Sequence, residues 1–209
     1  MDRLEAARCE KLALDIANEV TLSPALYDAF CKVSRSEFAP VGAHAFSLNP
    51  QPILANQWIS SPLTVAKMTM ALELEGVDKV LEIGCGSGYQ AAILSKIVRR
   101  VFTIERISKL VNEAKKHFEN LAISNVHVRY DDGNAGWKNY APYERILLSA
   151  AAKSIDERLF SQLSDGGILV APIEENGRQK IIKFYKKDNQ IQKEILSECV
   201  FVPLLSGRE

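Results

Sequence analysis

Residues 80–90 read Val-Leu-Glu-Ile-Gly-Cys-Gly-Ser-Gly-Tyr-Gln, an apolar strand that runs into glycines at alternate positions and then into helix-forming sequence. Gly84, Gly86 and Gly88 let the main chain turn sharply and admit a ligand closer to the backbone than any Cβ would permit. The junction therefore reads as a nucleotide cradle at the end of a buried strand. The flanking sequence agrees with it: strands are expected at 79–83, 101–105, 126–130, 144–150 and 167–173, with helices at 89–98, 107–121 and 155–163 between them. Such alternation specifies an α/β chain, a doubly wound parallel sheet with both faces covered by helices.

The spacing of the glycines separates the possible ligands. A dinucleotide fingerprint reads G-x-G-x-x-G, and its third glycine brings a helix N-terminus up to a pyrophosphate. Here the third glycine comes one residue early and Tyr89 stands in its place, so the loop suits a nucleoside without phosphates. S-adenosylmethionine is such a ligand. About 20 residues on, Val101-Phe-Thr-Ile-Glu105 ends a second strand in a carboxylate that can accept from both ribose hydroxyls. Asp132-Gly133, after Val126-His-Val-Arg-Tyr130, offers a carboxylate to the adenine amino group. An ordinary tight turn would also explain the glycines alone. Glu82, Glu105 and Asp132 at successive strand ends favour one nucleoside crevice over that simpler explanation.

Composition narrows the classes. At 209 residues with 47% hydrophobic content, the chain can build one full core. Lys plus Arg and Asp plus Glu balance at 26 each, so no overall basic footprint points to nucleic acid. Cys9, Cys31, Cys85 and Cys199 lie far apart without a C-x-x-C pair, which fits reduced thiols in a cytoplasm. His44, His117 and His127 are scattered, and no metal site is expected. The charged first residues lack a signal-peptide core, and no run of about 18 apolar residues would span a membrane. The expectation is a cytoplasmic protein.

Outside the alternating core, Leu4, Ala7, Leu12, Ile16 and Val20 lie near helical spacing over 3–20, and Ser23-Pro24 caps a second helix to about Val33. Residues 38–61, with Pro40, Gly42, Asn49, Pro50, Pro52 and Asn56, form a long loop. Its apolar members Phe46, Leu48, Ile53, Leu54, Trp58 and Ile59 suggest a packed lid or wall over the crevice. Ser61-Pro62 starts a helix to about Glu75. In the tail, residues 180–185 and 195–200 flank a turn at 187–190, which predicts an antiparallel edge. With no repeat or linker, residues 1–209 read as a single domain, a prefix and loop over 1–61 before a Rossmann-like core over 62–209.

Taken together these residues resemble the protein-L-isoaspartate (D-aspartate) O-methyltransferase family, on the class I S-adenosylmethionine-dependent methyltransferase fold. The similarity runs through Arg35-Ser-Glu-Phe-Ala-Pro40, Gln57-Trp-Ile-Ser-Ser-Pro62, Leu81-Glu-Ile-Gly-Cys-Gly-Ser-Gly-Tyr-Gln-Ala-Ala92, Thr103-Ile-Glu-Arg-Ile107, Asp132-Gly-Asn-Ala-Gly-Trp137, Ala141-Pro-Tyr-Glu-Arg-Ile146 and Phe201-Val-Pro-Leu204. The glycine motif is shared with many methyltransferases, whereas Ile-Ser-x-Pro and the C-terminal run are far more specific. Departures are Leu54, Trp58 where the family has threonine, and Asp131 where it has glycine; they bear on the acceptor.

The resemblance implies a mostly parallel seven-stranded sheet, an antiparallel C-terminal edge and a small helical prefix. It also implies that Ile59, Ser61, Glu82, Gly84, Gly86, Ser87, Gly88, Tyr89, Glu105, Arg106, Asp132 and Gly133 meet S-adenosylmethionine or its product S-adenosylhomocysteine. Ser60 is assigned to catalysis, and Trp58, Ala150, Val202 and Leu204 to the substrate. The expected partners are isoaspartyl-containing proteins and peptides, with no nucleic acid and no membrane, and the chain is expected to be a monomer. The acceptor carboxylate is already ionised at pH 7, so no general base is needed, and no histidine or carboxylate pair lies near the motifs. The alternatives are a methyltransferase with a small-molecule or RNA acceptor, or a cofactor-binding protein without turnover. A NAD-linked dehydrogenase is disfavoured by the missing third-position glycine.

Overall fold

The computed structural model describes residues 1–39 and 44–209; Pro40 and Gly42 of the expected loop lie outside the described residues. Two helices come first, α1 (Arg3–Ala17) and α2 (Pro24–Lys32), each with a side-chain cap. Asp2 accepts from the Glu5 N–H at 2.8 Å and Ser23 from that of Leu26 at 3.3 Å. The buried stripe of α1 is Cys9, Leu12, Ala13 and Ile16, at helical spacing, whereas Leu4 and Ala7 are exposed. The first turn is held instead through half-buried Glu5, whose carboxylate accepts from the Ser34 and Ser36 hydroxyls.

The core alternates strand and helix as expected: α3 (Pro62–Ala71), β3 (Lys79–Ile83), α4 (Tyr89–Leu94), β4 (Arg100–Glu105), α5 (Ser108–Asn120), β5 (Val126–Tyr130), β6 (Tyr143–Leu148), α6 (Glu157–Gln162), β7 (Leu163–Glu175), β8 (Arg178–Lys187) and β9 (Gln190–Cys199). A small pair, β1 (Gln51–Pro52) and β2 (Trp58–Ile59), precedes them. The large sheet runs β5-β4-β3-β6-β7-β8-β9, parallel through β7 and antiparallel beyond it. Helix α4 stops at Leu94, earlier than the sequence suggests. The Ser95 hydroxyl donates to the Ala92 carbonyl at 2.7 Å, a local bond that competes with the helix. Strand β7 starts earlier than expected, at Leu163, because that residue already pairs with Tyr143 across a register shift.

Both faces of the sheet are covered. On one side Val80, Val101, Leu147 and Val170 pack with α1 to α5; on the other Leu81, Ile83, Phe102, Ile146 and Leu148 pack with α6 and its neighbours. Four consecutive buried residues, Val80 to Ile83, are what a central parallel strand requires. Strand order reverses beside β3, since β4 and β5 lie on one side and β6 on the other. The connections after β3 and β6 pass to opposite faces there, and a crevice opens at the carboxyl ends of the strands. Among the described residues no helix is long and apolar enough to cross a membrane.

Gly88 shows how tightly the turn after β3 is set. It caps α4 in the left-handed region at φ 98°, and a Cβ there would stand 2.7 Å from Phe118 Cζ on α5. Gly88→Ala combines backbone strain with overpacking, and about 2–4 kcal/mol of stability is expected to be lost. Urea unfolding checks this, and an unchanged midpoint would contradict it.

Candidate active site

The crevice encloses about 1170 Å³, part of it open to solvent. Its floor is the turn after β3. Gly84 and Gly86 adopt φ of 92° and 56°, conformations that L side chains rarely take. The Gly84 and Cys85 amides donate to the Ile104 carbonyl, at 2.9 and 3.2 Å, so the loop is anchored to β4.

Glu105, at the end of β4, faces this loop. One carboxylate oxygen accepts from the Gly86 N–H and the other from the Ile107 N–H, each at 2.9 Å. A carboxylate has about four acceptor positions, so each oxygen keeps capacity for one donor from the crevice. Two vicinal hydroxyls match that remaining capacity. Tyr89 also lines the crevice, but its hydroxyl is buried near Arg35 and Cys9 and has no hydrogen-bond partner among the described residues. The open glycine turn and the half-satisfied carboxylate fit the ribose of a nucleoside.

Glu82 lines the cavity and also ties strands together. Its two oxygens accept from Thr103 Oγ1 at 2.6 Å and Ser149 Oγ at 3.3 Å, which ties β3 to β4 and to the end of β6 beneath the cavity. Burial pushes its pKa up from 4.5 to about 8, with Glu105 adding to the rise and the two hydroxyls opposing it. Near neutral pH the group is largely protonated, so the strand ends are stitched by a neutral acid.

The opposite wall comes from the 51–61 segment. Ser60 lines the cavity and is half-buried, and its carbonyl accepts from Arg35 Nη2 at 3.0 Å. The helix cap that could have occupied Ser60 is supplied by Ser61, whose Oγ accepts from the Thr64 N–H at 3.1 Å. Between β1 and β2 the chain turns through Ala55 and Asn56, both at positive φ, and Ile53 Cδ1 lies 3.7 Å from where a Cβ on Gly86 would be. The acceptor wall thus rests directly on the glycine loop. Leu54 and Trp58 are exposed, and Trp58, 53% exposed, stands at the rim of the cavity.

Residues 201–205 complete the enclosure. The Ala151 N–H donates to the Val202 carbonyl at 2.8 Å and the Leu204 N–H donates to the Ala151 carbonyl at 2.7 Å. Beyond them the tail crosses the strand ends. Arg106 Nε donates to the Gly207 carbonyl at 2.9 Å and the Gly207 N–H to Asp132 Oδ2 at 2.7 Å.

Of the residues singled out from the sequence, Ser60, Ile59, Glu82, Gly84, Gly86, Ser87, Tyr89, Glu105, Arg106, Gly133, Trp58, Ala150, Val202 and Leu204 converge on this cavity. Ser61, Gly88 and Asp132 do not line it. Ser61 is consumed as a cap and Gly88 by its packing against Phe118. Asp132 is consumed by its own turn and by the tail, with Oδ1 accepting from Asn134 N at 2.9 Å and Nδ2 at 2.8 Å. Burial opposes its ionisation, but the bonds from Gly207 and Asn134 outweigh that and hold its pKa low. The third strand end therefore contributes Gly133, where a Cβ would come 2.3 Å from Ile83 Cγ2. Ser149, Leu110, Gln90 and Phe201 also line the cavity and were missed. Ser149 could have been found, because it ends the strand across the reversal of sheet order.

This sheet order, with a glycine turn and a strand-end carboxylate around a crevice free of a phosphate fingerprint, is the class I methyltransferase fold. The family model for protein-L-isoaspartate(D-aspartate) O-methyltransferase matches residues 8–209, and the chain belongs to that family. It is 52% identical over 196 residues to the protein-L-isoaspartate O-methyltransferase of Helicobacter pylori strain J99, covering 92% of this chain and 94% of that one. The enzyme of the same name from Dictyoglomus turgidum is 44% identical over 191 residues, covering 90% and 87%. A solved protein-L-isoaspartate O-methyltransferase superposes with a TM-score of 0.86 at 28% identity; the match covers 93% of this chain and 65% of that one. A Plasmodium falciparum structure described as a putative protein-L-isoaspartate O-methyltransferase in complex with S-adenosyl-L-homocysteine shares the fold, with a TM-score of 0.84 at 21% identity over 94% of this chain and 97% of that one.

The Glu82 carboxyl predicts how stability varies with pH. Its folded pKa is raised, so its contribution is full below about pH 4.5, where it is protonated in both states. It is lost as pH rises toward about 8, because the unfolded chain releases the proton first. Glu82→Gln keeps an acceptor for Thr103 and removes the titration. The variant's urea midpoint is expected to vary less than the parent's across this window, and parallel pH curves for the two would refute the assignment.

Proposed function

We propose that the chain transfers a methyl group from S-adenosylmethionine to the free carboxylate of L-isoaspartyl, and also D-aspartyl, residues in damaged proteins and peptides. The observation that carries the reading is the pairing of two walls. A half-satisfied Glu105 carboxylate stands beside an open glycine turn, and Ser60 with residues 201–205 faces it across one cavity. When bound, S-adenosylmethionine supplies an electrophilic methyl on a sulfonium. Glu105 holds the ribose hydroxyls, and Gly84, Gly86 and Gly133 allow close approach to the backbone. Ser87, Tyr89, Ile59 and Arg106 complete that half of the site.

The other half positions a nucleophile that is already charged. An isoaspartyl carboxylate titrates near ~4 and is ionised at neutral pH, so the protein's work is alignment and water exclusion, and alignment can be worth about 7–11 kcal/mol. The Ser60 hydroxyl donates to one carboxylate oxygen and turns the other toward the methyl. Ala150, Val202 and Leu204 hold the peptide backbone, whose extra methylene distinguishes isoaspartate. Residues 202–204 use one edge on Ala151, and the other edge receives the peptide in extended form. The exposed Trp58 meets a flanking side chain. Repair then proceeds without further help from the protein: the next backbone nitrogen attacks the ester carbonyl, methanol leaves, and the succinimide hydrolyses partly to normal aspartate.

Four free cysteines support a reducing, cytosolic setting for this work. The balanced charge gives no overall basic footprint for nucleic acid, and the reading needs only one copy of the chain.

The deciding experiment mixes the protein with S-adenosylmethionine and an isoaspartyl peptide or its aspartyl twin. S-adenosylhomocysteine is expected with the first only; equal release with both, or none, refutes the reading. Ser60→Ala should slow turnover about 10- to 100-fold, the loss of one hydrogen bond to a charged group, with S-adenosylhomocysteine affinity kept. Glu105→Gln should instead weaken that affinity by at least about 10-fold, one charged hydrogen bond or more, as calorimetry would measure.

A further inference from the structure

Arg35 does not line the cavity, yet its guanidinium organises the wall that does. It is fully buried, and every hydrogen bond that it donates among the described residues ends on a backbone carbonyl. Nη1 reaches Ala45 O at 2.7 Å and Ser47 O at 3.5 Å; Nη2 reaches Asn49 O at 3.1 Å and Ser60 O at 3.0 Å. All four acceptors belong to the segment that leads into the acceptor wall. Among the described residues Nε is buried without a partner. A buried cation held by carbonyls alone is an expensive way to fill space, because an apolar side chain of like volume carries no desolvation penalty. What the guanidinium adds is geometry: a rigid planar fork fixes the directions and spacing of the carbonyls around it.

The same group touches the cofactor half. Its central carbon lies 5.7 Å from the Tyr89 ring centroid, and Tyr89 opens α4 directly after the glycine loop. Phe38, three residues further along the chain, packs its ring on the same Tyr89 at 5.6 Å. One side chain therefore joins the Ser60 backbone to the ring that succeeds the glycine turn.

We propose that Arg35 is a positioning residue for methyl transfer: by holding the Ser60 carbonyl while it lies against Tyr89, it fixes the Ser60 hydroxyl relative to the glycine loop. This rests on the reading of Ser60 as the group that meets the acceptor carboxylate. Misplacement by about 1 Å can cost on the order of 100-fold in rate, so a residue with no contact to either reactant can still govern turnover.

Arg35→Met and Arg35→Lys test it, each alone and combined with Ser60→Ala. Arg35→Met is expected to lower kcat on an isoaspartyl peptide by about 10- to 100-fold while S-adenosylhomocysteine affinity is kept. Arg35→Lys, which retains charge but not the fork, should fall between the parent and Arg35→Met. In the Ser60→Ala background either substitution should cost little more, because the hydroxyl to be positioned is gone. Losses that simply multiply, or cofactor affinity falling in step with rate, would overturn the proposal. Hydrogen exchange gives a readout that needs no substrate. Faster exchange confined to 44–61 supports positioning; unchanged exchange there, or exchange raised equally through the sheet, overturns it. Should Arg35→Met not fold, Arg35→Lys carries both measurements. A parent protein inactive on the isoaspartyl peptide would sink the acceptor reading alone, and the exchange result would still judge Arg35.

Discussion

The reversal of strand order beside β3 creates both the cavity and a difficulty. The segments that leave β3 and β6 run to opposite faces of the sheet, yet the two strands stay paired to their ends, Ile83 with Leu148, beneath the crevice. Glu82 reinforces this with a carboxyl shared between Thr103 and Ser149. A charged carboxylate at this depth would be costly, and the raised pKa lets the group serve as a neutral hydrogen-bonding acid instead. Everything above it, the glycine turn, the Glu105 carboxylate and the wall at Ala150, is built on that tie.

The two halves of the site have different origins. The cofactor half is made by strand ends and is fixed by the sheet. The acceptor half comes from two irregular segments, 51–61 and 201–205, which have few backbone bonds of their own and are set by anchors. Arg35 and the Ile53 contact over Gly86 hold the first; Gln179, whose side chain exchanges bonds with Phe201 at 2.6 and 3.2 Å, and Ala151 hold the second. A common scaffold can thus keep its donor while the acceptor changes with a few anchoring residues.

Much of this was legible in the sequence, for physical reasons. Parallel strands buried on both faces leave runs such as Val80 to Ile83, and the turn after them requires glycine, so the core and the cofactor half could be read locally. Ser61, Gly88 and Asp132, expected at the cofactor, do not line the cavity, and each is of a residue type that serves two purposes. Serine before proline caps helices, glycine admits a helix as readily as a ligand, and aspartate at a strand end can close its own turn. Which purpose wins depended on Thr64, Phe118 and Gly207, the last 75 residues away. The short β1–β2 pair was hidden for another reason: two residues per strand carry no period to read.

The walls of the cavity come from stretches as distant as residues 56–60 and 201–205. No fragment of the chain contains the site, and a molecule that fits it recognises only the finished fold. By mass action such a molecule removes folded protein from the unfolding equilibrium, adding about 2.7 kcal/mol when present at a hundred times its dissociation constant. The enzyme's own cofactor is thereby a reporter of its integrity and a reserve of stability: a protein that mends ageing chains is guarded against unfolding by the reagent it consumes.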